Sequence, residues 1–128
     1  MNTYNPNQAP DPDEWKALAE DVRLLLVKQY HKHKRIRLPN ATLHAVFHAV
    51  VENQVAMGDE MNVARTLQRL LSEGLDRHDA IHAIGFVLAG HMRNMMSGAA
   101  PTFNETQYAS DLEALTPEKW IQMAQPED

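Results

Sequence analysis

The chain contains no cysteine. That excludes a disulfide framework and any thiolate metal site, so a metal held here would be bound by nitrogen and oxygen donors. It also lacks any apolar run near the roughly 18 residues needed to span a bilayer, and its first thirty residues show no signal-peptide pattern. A cytoplasmic protein without a membrane partner is the expectation. Nor is there an excess of positive charge: 12 Lys and Arg against 17 Asp and Glu give a net charge of −5, which argues against general adhesion to nucleic acid. Strand-like alternation and tandem repeats are absent as well. The apolar residues instead recur at helical spacing along most of the 128 residues, enough for one hydrophobic core.

The expected fold is all-α, an irregular bundle of five to six helices, with residues 1–10 a flexible arm and 11–128 a single helical domain. The arm is rich in Asn, Gln and Pro. Order is expected from Asp11-Pro12-Asp13-Glu14, which combines a capping side chain with proline at the first helical position. One helix from there buries Trp15, Leu18, Val22, Leu25, Leu26 and Tyr30. It ends in the basic run Lys28 to Arg37, which also holds His31 and His33 and complements the helix dipole. That run could contact phosphates, but a solvated helix end is favoured on an acidic chain, so a nucleic-acid partner is not expected.

Leu38-Pro39-Asn40 opens a second helix with the apolar arc Leu43, Val46, Phe47, Val50, Val51 and Val55. Gly58-Asp59 separates it from a third, with Val63, Leu67, Leu70 and Leu71 inward and Gly74 as its stop. Asp76 caps a fourth, with Ile81, Ile84, Leu88 and Met92 as its core stripe. After a loop at Gly98 to Thr102, helices over Glu105 to Leu115 and from Thr116-Pro117-Glu118 carry Tyr108, Leu112, Leu115 and Trp120.

Chemistry concentrates on the second and fourth helices. Each carries a His-x3-His pair, His44 with His48 and His78 with His82, and such a pair puts two rings on one side of a helix about 5–6 Å apart at Cβ. The first row continues one turn to Glu52. His44, His48, Glu52, His78 and His82 are therefore the candidate ligands, on the edge of the apolar arc, for one divalent ion. Zinc is favoured over iron, manganese and nickel. Small residues on the same side of the fourth helix, Gly85 and Ala89, would let a neighbouring helix approach closely. An open coordination position that takes water or substrate would allow a metal-dependent hydrolase or another metalloenzyme. The contrasting expectation is a non-enzymatic interaction module whose histidines form a metal-free hydrogen-bond network.

His78-Asp79-Ala80-Ile81-His82 differs by one residue from the His-Glu-x2-His pattern of zinc proteases, but Asp79 stands where a helix cap wants a carboxylate, and capping is its expected role. Asn53 and Gln54 either orient histidine rings or are polar helix-end residues. His91, with Met92, Met95 and Met96, either covers a homodimer contact or packs within the chain.

The linked pattern Pro39-x3-Leu43-His44-x3-His48-x3-Glu52-x-Gln54 and Gly74-Leu75-Asp76-Arg77-His78-x3-His82 resembles a bacterial family of small helical proteins known as a domain of unknown function. The resemblance covers residues 38 to 92, with a weaker echo in Tyr108-x3-Leu112-x2-Leu115-Thr116-x3-Trp120. It implies an all-helical fold and shared histidines. Many members carry Glu at the position of Asp79, and some have further Glu residues where this chain has Gly85, Phe86 and Ala89, so the likeness implies neither a second metal nor a carboxylate base on that helix. The pattern is also similar to haemerythrin-like bundles, where His and carboxylate at helical spacing bind two irons, but the full ligand set is not present.

Overall fold

The computed structural model describes residues 1–34, 40–58, 62–98 and 102–124, and among them the protein is all-helical. Among the described residues there are seven helices where five to six are expected. The difference arises at Leu18-Ala19. Helix α1 (Pro12–Ala17) starts as expected, with the Asp11 side chain accepting the Glu14 amide at 3.0 Å, but Leu18 and Ala19 are extended and α2 (Glu20–His33) begins afresh. Arg23 of α2 stabilises the break by donating from Nε to the Trp15 carbonyl and from Nη2 to the Lys16 carbonyl, at 3.0 and 2.8 Å. It thus adds a second donor to the Trp15 carbonyl, which also accepts the Leu18 amide, and supplies one to the Lys16 carbonyl at the end of α1.

The break also rotates the buried face of α2. Val22 and Leu25, expected inside, are 37% and 52% exposed, while Leu26, Val27 and His31 are buried. Sequence periodicity alone had run one helical phase through two helices.

Helix α3 (Ala41–Ala56) is capped by Asn40, whose side chain accepts the Leu43 amide. It is the central element and packs on α1, α2, α4 (Val63–Ser72) and α5 (Arg77–Met96). With neighbours around it, α3 buries His48 and Glu52 outright instead of leaving them at a core edge, whereas Leu43, expected inward, is half-exposed. Gly74, at φ 111°, closes the turn before α5, and the Asp76 side chain accepts the Asp79 amide at 2.7 Å. Asp79 thus lies in the first turn of a capped helix, as its spacing predicts. Helices α6 (Glu105–Ala114) and α7 (Pro117–Ala124) complete the order.

The core has two parts. Val51, Leu67, Leu70, Ile81, Ile84, Tyr108 and Leu112 join α3, α4, α5 and α6. Tyr4, Trp15, Leu26, Val27, Ala45 and Ala49 join the N-terminal segment, α1, α2 and α3. The second part includes a residue of the N-terminal segment 1–10. This segment forms no helix, but Tyr4 is only 4% exposed and packs against Trp15 and Tyr30. The Pro6 carbonyl accepts from Arg77, and the Asn7 side chain accepts the His78 amide. The Tyr4 ring and hydroxyl, the Pro6 carbonyl and the Asn7 side chain attach this segment to the helices.

No helix among the described residues is long and apolar enough to cross a membrane. Asp59, the loop residues 99–101 and positions 35–39, which include the end of the basic run and Leu38-Pro39, lie outside the described residues.

Candidate metal centre

Five imidazoles converge where α2, α3 and α5 meet. His44 and His48 come from α3 and His78 and His82 from α5, as the sequence spacing anticipates. The fifth, His31, comes from the last turn of α2, and one ring nitrogen from each of the five lies within 4.8 Å of all the others. His31 is absent from the sequence-derived ligand set because it stands among lysines in a basic run. The signal that could have found it is its spacing from Leu24 and Val27 at positions i, i+3 and i+7, the pattern of a buried helical face.

The rings meet through their Nε2 atoms. His31 and His44 are 3.2 Å apart there, His44 and His82 3.0 Å, His82 and His48 3.0 Å, and His48 and His78 3.2 Å. An imidazole Nε2 has one directional site, either an N–H or a lone pair. Five such atoms can form at most two pairwise bonds, yet four contacts of bonding length are present. Five lone pairs aimed at one cation would satisfy all of them. Donors about 2.1 Å from a common ion stand about 3.0 Å apart at right angles and about 3.4 Å apart in a tetrahedron. The observed spacings favour the right-angle arrangement.

Ring positions give the same arrangement. His31, His44, His82 and His78 form a closed cycle with successive centroids 4.6, 4.7, 4.3 and 5.4 Å apart, and across it His31 and His82 lie 6.4 Å apart and nearly parallel. His48 stands over this cycle, 4.9 to 5.0 Å from each of its four members. The outline is a square pyramid with His48 at the apex.

Two far-side contacts fix ring tautomers. His31 Nδ1 donates to the Val27 carbonyl at 2.9 Å, since a carbonyl can only accept. His48 Nδ1 lies 3.1 Å from the Tyr4 hydroxyl, which spends its proton on Glu52 Oε2 at 2.6 Å, so His48 donates to Tyr4. In the neutral rings both Nε2 atoms therefore turn lone pairs toward the centre.

The structure thus places Glu52 behind the histidines and not beside them. Its two oxygens accept from Arg77 Nη1 and Nη2 at 2.7 and 2.8 Å, and Oε2 also accepts from Tyr4. Both members of the ion pair are buried. The Glu52 carboxylate is outside the converging group and forms the middle of a relay that runs from His48 through Tyr4 to Glu52 and on to Arg77. Outer partners of this kind orient a ligand ring and raise its basicity. Asn53 accepts from Trp15 and Arg23, and Gln54 accepts from Tyr108, so neither orients a histidine. His91 pairs with Asp111 at 2.7 Å within the chain.

The electrostatics suit metal ligation. Burial, then the proximity of other histidines, lowers His44 and His78 to about 4 and His82 to about 3, with His48 driven further down for the same reasons. Neutral imidazole is the ligating form. Burial and the neighbouring Glu52 charge raise Tyr4 well above the usual phenol range, so it stays protonated. At Arg77 burial acts downward, but the bonds and charge of Glu52 outweigh it and raise the guanidinium further.

A cavity of about 240 Å³ adjoins the His44, His48 and His82 side of the cluster, walled by Phe47, Ile81, Phe86 and Trp120. It abuts a filled triangular face of the pyramid, with apolar walls that shield those rings. Comparison with known proteins supplies no relative: no family model, curated protein or solved structure matches the chain.

Proposed function

We propose that this protein binds one divalent transition-metal ion through the Nε2 atoms of His31, His44, His48, His78 and His82. The observation that carries this reading is the set of four Nε2 contacts at 3.0 to 3.2 Å, more than pairwise hydrogen bonding can use. The ion we favour differs from the zinc suggested by sequence. Zinc prefers four donors, whereas five imidazoles at right-angle spacing suit a five- or six-coordinate ion, and nitrogen donors favour iron or nickel over manganese.

The hydrolase version of the reading is weaker than the binding version. Hydrolysis needs a base near the ion's open position. Glu52 is occupied by Arg77 and Tyr4, and Asp79 is exposed in the first turn of α5. A five-nitrogen centre with one exchangeable position is the function that the geometry supports best.

The second reading, a metal-free interaction module, draws on the same contacts taken as a hydrogen-bond network. Metal analysis of protein purified without an affinity tag separates the two. About one ion per chain is expected, with little in a His48→Ala, His82→Ala double variant; equally little metal in both proteins would defeat the proposal.

A further inference from the structure

The square pyramid has one vertex missing, opposite His48 and across the base formed by His31, His44, His82 and His78. Resting on the metal reading above, we propose that this sixth position is a binding site for one small monoanion.

Charge selects the class of ligand. Imidazoles that ligate a metal do so in the neutral form. The buried carboxylate behind them, Glu52, is already matched by Arg77 at 2.7 and 2.8 Å, and Asp76, whose charge reaches His78, is exposed and outside the converging group. The charge of a divalent ion in this shell receives no compensation from its ligands. In a partly buried site that charge favours an anionic sixth ligand over a neutral one of similar size.

Access and stoichiometry follow from the same geometry. The apex His48 is buried to 2% exposure and tied to Tyr4, so the ion is not approached from that side. His44 and His78, opposed corners of the base, are only half-buried, so solvent reaches the ring of donors at the base rather than at His48. Each remaining vertex is filled by a ring, and so one anion binds per ion.

The test is a titration of the cobalt(II)-loaded full-length protein with azide, followed by the visible cobalt spectrum, with ammonia as the neutral control. Saturation at one azide per cobalt is expected, with affinity about tenfold above that of ammonia. A His78→Ala variant, which removes a half-exposed corner, should take up two azides per cobalt. An unchanged spectrum, equal affinity for azide and ammonia, or one azide in both proteins would overturn the anion site while leaving the metal centre standing. Failure of cobalt to give a histidine-ligand spectrum at all would remove the metal reading and this inference with it.

Discussion

The Glu52 carboxylate faces the Arg77 guanidinium in a buried two-bond pair, and the same carboxylate accepts a hydrogen bond from the Tyr4 hydroxyl. An acidic residue in register with two histidines thereby becomes the support of one histidine. Breaking one half of such a pair leaves the other charge buried alone, at a cost of about 3–5 kcal/mol. Glu52→Gln and Arg77→Met should each lower stability by about that amount in urea denaturation, and the double variant should lose less than the sum of the two. Simple additivity would show that the pair is not coupled.

Tyr4→Phe keeps the ring that packs on Trp15 and Tyr30 but removes the hydroxyl between His48 and Glu52. Loss of such an outer partner typically weakens metal binding 10- to 100-fold. A shift of about tenfold is expected in competition with a chelator of known affinity, with helix content unchanged. Wild-type affinity in this variant would count against the relay.

His31 is the ligand furthest from the motif in sequence. His31→Ala should weaken metal binding by more than His33→Ala, since His33 is exposed and stands outside the cluster. Equal affinities of the two variants, measured side by side by calorimetry, would return the site to four histidines.

In the metal-free protein His44 and His78 bind protons near pH 4 and His82 near pH 3, against 6.5 for an ordinary histidine. Between those values the unfolded chain holds more protons than the folded one. Stability should therefore be full above about pH 6.5 and fall as the pH drops toward 4 and then 3. Added metal should flatten the upper part of that decline, because the ion stabilises only the folded state and competes with protons for the same nitrogens. Denaturation midpoints from pH 7.5 to 4, with and without metal, measure both effects; a metal-free protein that gains stability on acidification contradicts the burial of neutral rings.

Gly85 lies on the buried face of α5, yet a Cβ placed there would meet Val51 Cγ2 at 3.8 Å and Phe47 Cβ at 3.9 Å, ordinary contacts. Gly85→Ala should therefore stabilise the helix, by about 0.5–1 kcal/mol. A lower thermal midpoint would mean that the α3–α5 approach needs glycine after all.

Most helix ends were legible because the relevant interactions are local. Asp11, Asn40 and Asp76 each cap through their own side chains, three residues from the amide they hold. His44, His48, His78 and His82 were legible because helical spacing fixes which side chains share a face. The split at Leu18-Ala19 was not, since it is stabilised by Arg23 folding back onto carbonyls seven and eight residues earlier. The role of Tyr4 was also hidden, because its partners are His48 and Glu52, more than forty residues away.

By itself, then, the sequence determined most of the helices, three of their caps and two pairs of histidines, all consequences of backbone geometry over one or two turns. Only the tertiary structure decided that α2 contributes His31, that Glu52 turns to Arg77, and that five rings outline a pyramid with one vertex open. Those outcomes depend on how α2, α3 and α5 cross. That crossing is set by packing between residues far apart in the chain, which no local spacing encodes.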